Sequence, residues 1–332
     1  MLVTANQNTT NTRSLVAVVE KFLDYAGMFP PAKLPLLEAF ANYVKYAGDQ
    51  YSWLLSRFIC PANNLLQLAD IIRLQFEDTN YPLRIAVLGK GGESIKDYRN
   101  EFLNDINNLK AFRSRFKSNV YADVYEVRLP DQLILSKDET QITDIVGFTI
   151  SEIEEKVGKD VKIYFEGVNK ADWDTSIDLV TYILSNFKDE GKNIGYKIRL
   201  AGLTAIDIPS CRQLAVVLLN CLDRSLPIKA TQGLHHPFRH YNEDVHGKMH
   251  GFINLFTAAI IGNRHGVEGD VLIRILEDEN PEDFIFSDDM LEWNGYEVDM
   301  DWIKYGREDV MHSFGSCSFD EPVSDMLKYN LI

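Results

Sequence analysis

From about residue 50, short runs rich in β-branched and aromatic residues alternate with longer stretches whose apolar residues recur at helical spacing. This alternation predicts parallel strands joined by crossover helices. The runs SWLLSRFIC, LRIAVLG, ADVYEVRL, VKIYFEGV, YKIRLAG and PIKATQG predict strands, and LDYAGMFP supplies an additional first one. Two connecting helices are well marked. Asp174 or Thr175 caps one whose Ile177, Val180, Ile183, Leu184 and Phe187 share a face, and Ser210 caps another carrying Leu214, Val217, Leu218 and Cys221. An eighth strand is less distinct, because HGFINLF and VLIRILE both fit a strand and a helix.

The predicted fold is therefore α/β: a TIM-barrel-like (β/α)8 domain over residues 1–265, incomplete or irregular by this count. An acidic C-terminal extension over 266–332 follows. Within that extension, FIFSDDMLEWNGYEVD predicts a hairpin turning at Asn294-Gly295 or near Asp288-Asp289, with a helical tail beyond it. An open doubly wound sheet fits the same alternation, but no glycine-rich phosphate loop follows the early strands. GKGGES, Gly89 to Ser94, has neither the P-loop nor the dinucleotide spacing and reads as a strand-to-helix loop.

Strands covered on both faces should be almost continuously apolar, and several of these are not. Side chains alternate along a strand, so Glu126 shares a face with Arg128, Lys162 with Tyr164 and Glu166, Lys197 with Arg199, and Lys229 with Thr231. If the apolar parity faces the helices, this charged stripe faces the lumen, whose carboxyl end is where such folds place their chemistry. Glu126, Glu166, Arg128, Lys197, Arg199 and Lys229 then meet in one pocket. With two carboxylates against four cations that pocket would be net positive and suited to a small anionic metabolite. Arg57 is a further candidate for it, or equally for a salt bridge at the strand end. The alternative is a self-satisfying network of buried ion pairs, which is costly in desolvation.

Composition narrows the function classes. The chain of 332 residues carries a net charge of -15. From Val267 to Ile332 there are 18 Asp or Glu against 4 Lys or Arg, so nearly all of the acidic excess sits there. The absence of a basic face argues against nucleic acid, and the lack of a long apolar run argues against a membrane partner. Cys60, Cys211, Cys221 and Cys317 lack CxxC spacing, which points to reduced thiols, and with the polar N-terminus to a cytoplasmic protein. Cys221 falls on the apolar face of its helix, and no neighbouring base can be assigned to Cys317. Asp24 lies in DYAGMFPPAKL, which reads as a rigid turn. Oligomeric state is not encoded in any feature found.

A lysine desolvated beside other cations has a lowered pKa, and its neutral amine can attack a carbonyl to give an imine. The runs YKIRLAG and IKATQG resemble the two lysine-bearing strands of Schiff-base (class I) barrel aldolases, particularly the deoxyribose-phosphate aldolase type. The resemblance covers about forty residues. It implies Lys197 as the imine former and Lys229 as the helper, with the roles open to exchange. Independently of the resemblance, Glu166 is the nearby carboxylate expected to shuttle protons, directly or through water. Arg199 departs from the family's small residue, and GLHHPFRH has no counterpart in its pattern. The segment is also similar to uncharacterised bacterial proteins with a KATxGLHHP run.

His235, His236, His240, His246 and His250 fall within sixteen residues. His235 and His236 follow the Lys229 strand and are candidates for substrate contacts at the pocket mouth. If DVHGKMHGF is helical, His246 and His250 share a face and, with His240, form an alternative site for a divalent metal such as zinc. The leading expectation is a carbon-carbon lyase, of aldolase or decarboxylase type, working through a lysine imine without a cofactor. The alternatives are a metal-dependent lyase or hydrolase, and a noncatalytic binding protein for an anionic metabolite. Phosphoribosyl transfer also fits such a lumen, although no residue singles it out.

Overall fold

The computed structural model describes residues 11–167, 172–201 and 204–332. Eight parallel strands close a barrel, in the spatial order β1 (Leu23–Tyr25), β13 (Met311–Ser316), β7 (Ile228–Thr231), β6 (Ile194–Arg199), β5 (Lys162–Glu166), β4 (Val120–Arg128), β3 (Leu83–Leu88) and β2 (Leu55–Pro61). The chain thus forms a (β/α)8 TIM barrel. The seven expected strands are present. Gly202, at the end of the run containing β6, lies outside the described residues.

The eighth strand differs from both expected segments. HGFINLF opens the helix Phe252–His265 and VLIRILE lies in the helix Gly269–Glu277. Barrel closure instead comes from Met311–Ser316, which pairs with β7 on one side and β1 on the other. The expected boundary at 265 is therefore corrected, since the acidic segment supplies one of the barrel staves. Its short run, MHSFGS, contains four small or polar residues, His312, Ser313, Gly315 and Ser316, which weaken the apolar signature of a strand.

Between the seventh and eighth staves the chain makes two small additions. β8 (His240–Asn242) and β9 (Gly247–Met249) form a hairpin, and β10 (Phe284–Phe286), β11 (Met290–Trp293) and β12 (Tyr296–Asp299) form an antiparallel sheet. The turn between β11 and β12 uses Asn294 and Gly295, both with positive φ, as a tight hairpin turn requires. Because β9 and the turn that precedes it occupy most of DVHGKMHGF, the helix that would align His246 with His250 is not formed there. His246 sits in the hairpin turn with φ of 50°.

Helices cover the barrel with their apolar faces. Ser210 caps the helix Cys211–Asp223 through a capping box with Gln213, and Leu214, Val217, Leu218 and Cys221 are buried. The stretch Ala205–Asp223 is long and apolar enough to cross a membrane, yet this buried face packs inside the fold. The helix Trp173–Asp189 likewise buries Ile177, Val180, Ile183 and Leu184. Helix and outward strand residues form one large core, whereas Ala26, Ile59, Ala86, Val124 and Tyr164 form a second, smaller cluster. This second cluster has the same strand parity as the charged residues and fills one sector of the lumen. Gly195 makes room for it: a Cβ there would lie 2.7 Å from the Tyr164 ring and 2.6 Å from the Pro227 carbonyl oxygen.

Candidate functional site

The other sector of the lumen is polar. Lys197 on β6 and Lys229 on β7 are register partners, and both are almost completely buried. Glu126 on β4, itself fully buried, lies between them, with Oε2 2.8 Å from Lys197 Nζ and Oε1 against Lys229 Nζ. Lys229 Nζ also donates to Asp24 Oδ2 at 2.5 Å, and Ser313 Oγ donates to the same oxygen at 2.7 Å. Glu166, at the end of β5, lies 3.6 Å from Lys197 Nζ and accepts two hydrogen bonds from Arg199, at 2.9 and 3.3 Å. One connected chain of groups therefore runs Ser313, Asp24, Lys229, Glu126, Lys197, Glu166, Arg199.

Strand geometry brings this about. Alternation puts Glu126, Lys197, Lys229 and Ser313 on the inner faces, and the staves β4 to β7 and β13 present them to a shared volume. Three carboxylates meet three cations. The expected positive pocket is corrected: Asp24, expected in a rigid turn, belongs to β1 and is completely buried against Lys229. Balanced charge decides the protonation states. Burial would lift the Glu126 carboxyl, but Lys197 and Lys229 outweigh it and hold it down at about 2. Burial likewise works against ionised Glu166, and Lys197 and Arg199 overcome it, leaving this carboxyl below its ordinary range. For Lys229 burial favours the neutral amine, yet Asp24 and Glu126 win and raise its pKa. Lys229 is thus an ammonium, contrary to the expectation of a depressed lysine pKa. A depressed amine does occur at Lys162, pushed down to about 8 by burial, but it starts β5 and so lies at the opposite end of the strand from Glu166.

The remaining candidates separate. Arg57 donates to Asp123 at 2.8 and 3.0 Å, and Arg84 reaches the same carboxylate at 2.9 Å. A register shift between Ile85 and Ala86 on β3 turns Asp123 toward these cations. Of the two expected roles for Arg57 the structure shows the salt bridge, in the first half of β2, and not a place in the carboxyl-end pocket. Arg128 closes β4 at the rim, half exposed and paired with Asp131 at 2.6 Å. Arg199 is the other rim cation.

The five histidines do not gather into one group, although the rings of His236 and His240 meet edge to face with centroids 4.2 Å apart. His235 Nδ1 pairs with Glu321 Oε2 at 2.8 Å, and His236 Nδ1 with Asp325, so both bind the C-terminal helix Asp320–Lys328. His240 Nδ1 donates to the Phe238 carbonyl, and buried His250 Nε2 donates to the Pro209 carbonyl. The expected alternative metal set of His240, His246 and His250 is corrected: among the described residues no three His, Cys, Asp or Glu side chains form a group fit to hold a metal ion. Asp24 is not among the residues that sequence reasoning assigns to the site, although it carries a signal, an acid inside an apolar run ahead of a turn. The nearness of His235 to Cys317, 82 positions apart in the chain and 3.8 Å from Nε2 to Sγ, carries none.

No protein-family model matches the chain, and no curated protein matches it. Among solved structures, a putative deoxyribose-phosphate aldolase from Toxoplasma gondii ME49 is similar at 10% identity and TM-score 0.50, over 96% of each chain. The deoxyribose phosphate aldolase from Aeropyrum pernix matches at 10% identity and TM-score 0.44, over 68% of this chain and 86% of that one. The endo-1,4-beta-xylanase XylE of Penicillium canescens matches at 14% identity and TM-score 0.39, over 66% and 72%. At these identities the likeness is one of fold.

Proposed function

We propose that the chain is a carbon-carbon lyase of aldolase type, which activates a small anionic carbonyl compound as an imine on Lys197. The observation that carries this reading is the pairing of Lys197 and Lys229 on adjacent staves around one carboxylate. Lys229 is gripped by Asp24 and Glu126 and serves as a fixed positive charge. Lys197 is the less tightly held amine, with Glu166 standing 3.6 Å away to take its proton.

In this reading the neutral Nζ forms a bond to the substrate carbonyl carbon while the carbonyl oxygen takes a proton. Loss of water gives an iminium ion. The adjacent carbon-carbon bond then breaks, its electron pair moving through the substrate to the iminium nitrogen to form an enamine. The departing fragment leaves as a carbonyl compound after losing its hydroxyl proton to Glu166. Protonation of the enamine at carbon and hydrolysis return free Lys197. Arg199 and Arg128 at the rim hold the anionic group. Four free cysteines fit a reducing compartment, so the site of action is proposed to be the cytoplasm.

Borohydride reduction in the presence of a panel of aldehydes, ketones and keto acids tests the reading. A stable adduct on the Lys197 peptide is expected, and it should vanish in Lys197→Met. No adduct with any member of the panel would overturn it. A second reading, a noncatalytic receptor for an anionic metabolite, is favoured by the carboxylate partners that both lysines already have. That reading predicts ligand-induced thermal stabilisation with neither turnover nor adduct.

A further inference from the structure

Cys317 follows directly on β13, at the carboxyl end of the barrel. Its Sγ is 3.8 Å from His235 Nε2, and the other ring nitrogen, Nδ1, lies 2.8 Å from Glu321 Oε2. Glu321 is itself anchored, its backbone N–H donating to Ser318 Oγ at 3.1 Å in the first turn of the C-terminal helix. A thiol, a base within reach of it and an acid orienting that base form the arrangement that activates a cysteine nucleophile. The other cysteines lack it. Cys60 and Cys211 place their Sγ against backbone carbonyls, and burial pushes the thiols of Cys60, Cys211 and Cys221 up.

We propose that Cys317 is a second reactive centre, which accepts an acyl group from an ester or thioester bearing a good leaving group. His235 removes the thiol proton, and Sγ forms a bond to the acyl carbon. The bond from that carbon to the leaving oxygen or sulfur breaks, and the departing atom takes the proton back from His235. Water then cleaves the new thioester, releasing the acid and restoring the thiol. The site opens to solvent on the histidine side, where the His235 side chain is 19% and that of Glu321 57% exposed. Other titratable groups stand around the pair: Tyr25 from β1, Asp320 and Asp325 from the C-terminal helix, and His236 and His240 from the segment after β7. Burial works against charge on His235, but Cys317 and Glu321 prevail and push it up to about 9.

p-Nitrophenyl acetate supplied to the full chain tests the proposal. About one equivalent of p-nitrophenolate should appear in a burst, with the acetyl group found by peptide mass spectrometry on Cys317. His235→Gln should slow this acetylation by at least about a hundredfold, as loss of a general base does, and Glu321→Gln by a smaller factor. The unaltered chain offers a test that needs no substitution: iodoacetamide should alkylate Cys317 faster than Cys60, Cys211 or Cys221, whose thiols burial pushes up. Acetylation spread evenly over the cysteines, an unchanged rate in His235→Gln, or alkylation no faster at Cys317 than at the other cysteines would each overturn it. The acetyl group is read on the Cys317 peptide and the imine on the Lys197 peptide, so this proposal and the imine reading fail separately.

Discussion

Lys197 and Lys229 stand directly opposite one another across the β6–β7 ladder, and Glu126 reaches both of their amino groups. Like charges in that position repel, and in a lumen closed to water the repulsion is poorly screened. One carboxylate between the two ammoniums converts a costly juxtaposition into a stable one. Every substitution in this network therefore alters the charge state of its neighbours as well as its own contact.

Glu126→Gln leaves two facing lysines with only Asp24 and Glu166 to balance them. Breaking a buried pair from one side costs about 3–5 kcal/mol, and a loss of that size is expected in urea unfolding. Adding Lys197→Met should recover part of it, because one of the uncompensated charges is then removed. A double variant no more stable than Glu126→Gln would show that the two groups are not coupled.

Acid should unfold the protein through this network. Glu126 sits at about 2 and Glu166 is also lowered, so both carboxylates stabilise the fold at pH values above their ordinary range. That contribution disappears as pH falls through the folded values, from about 4.5 toward 2. The raised Lys229 acts at the other end: its contribution is complete below the ordinary lysine value and disappears as pH rises above it. Thermal melts across this range should show an acid limb that is shallower in Glu126→Gln.

Asp105 makes the opposite prediction. This buried carboxyl accepts hydrogen bonds from the Lys90 backbone N–H at 2.9 Å and from the Tyr125 hydroxyl at 3.0 Å, and burial outweighs both to raise it to about 6. Its ionisation costs the folded state stability as pH climbs from the ordinary aspartate value through 6. Asp105→Asn keeps an acceptor for both donors and stays neutral. It should stabilise the protein by about 2 kcal/mol at pH 8 and change little at pH 4. Equal stabilities at pH 8 would contradict this.

Gly195→Ala tests the packing beneath the site. Its methyl group would press on Tyr164, which lies in the same lumen as Lys229, with Lys229 Nζ 5.9 Å from the ring centroid. Overpacking of this kind costs about 1–3 kcal/mol. A lower melting temperature and a weaker imine adduct are expected together. A full-strength adduct in the destabilised variant would separate Tyr164 from the chemistry.

Much of this molecule is legible in one dimension. Period-two alternation identifies the inner faces of β4 to β7, and with them Glu126, Glu166, Lys197, Arg199 and Lys229. Capping residues and helical periodicity locate the helices Trp173–Asp189 and Cys211–Asp223. Both signals are local, since each depends on residues only a few positions apart. The hairpin of β8 and β9 is not legible in this way, because histidine and glycine spacing carries no hydrophobic period to arbitrate between strand and helix.

The sequence by itself determined that Glu126, Glu166, Lys197, Arg199 and Lys229 share the inward parity of their strands, because side-chain direction along a strand follows from backbone geometry alone. Tertiary structure alone decided that Met311–Ser316 closes the barrel, that Asp24 completes the charge balance, and that His235 lies beside Cys317. These relations join segments tens to hundreds of residues apart. The energies that select them are packing and desolvation in the closed lumen, and neither exists until the staves have met.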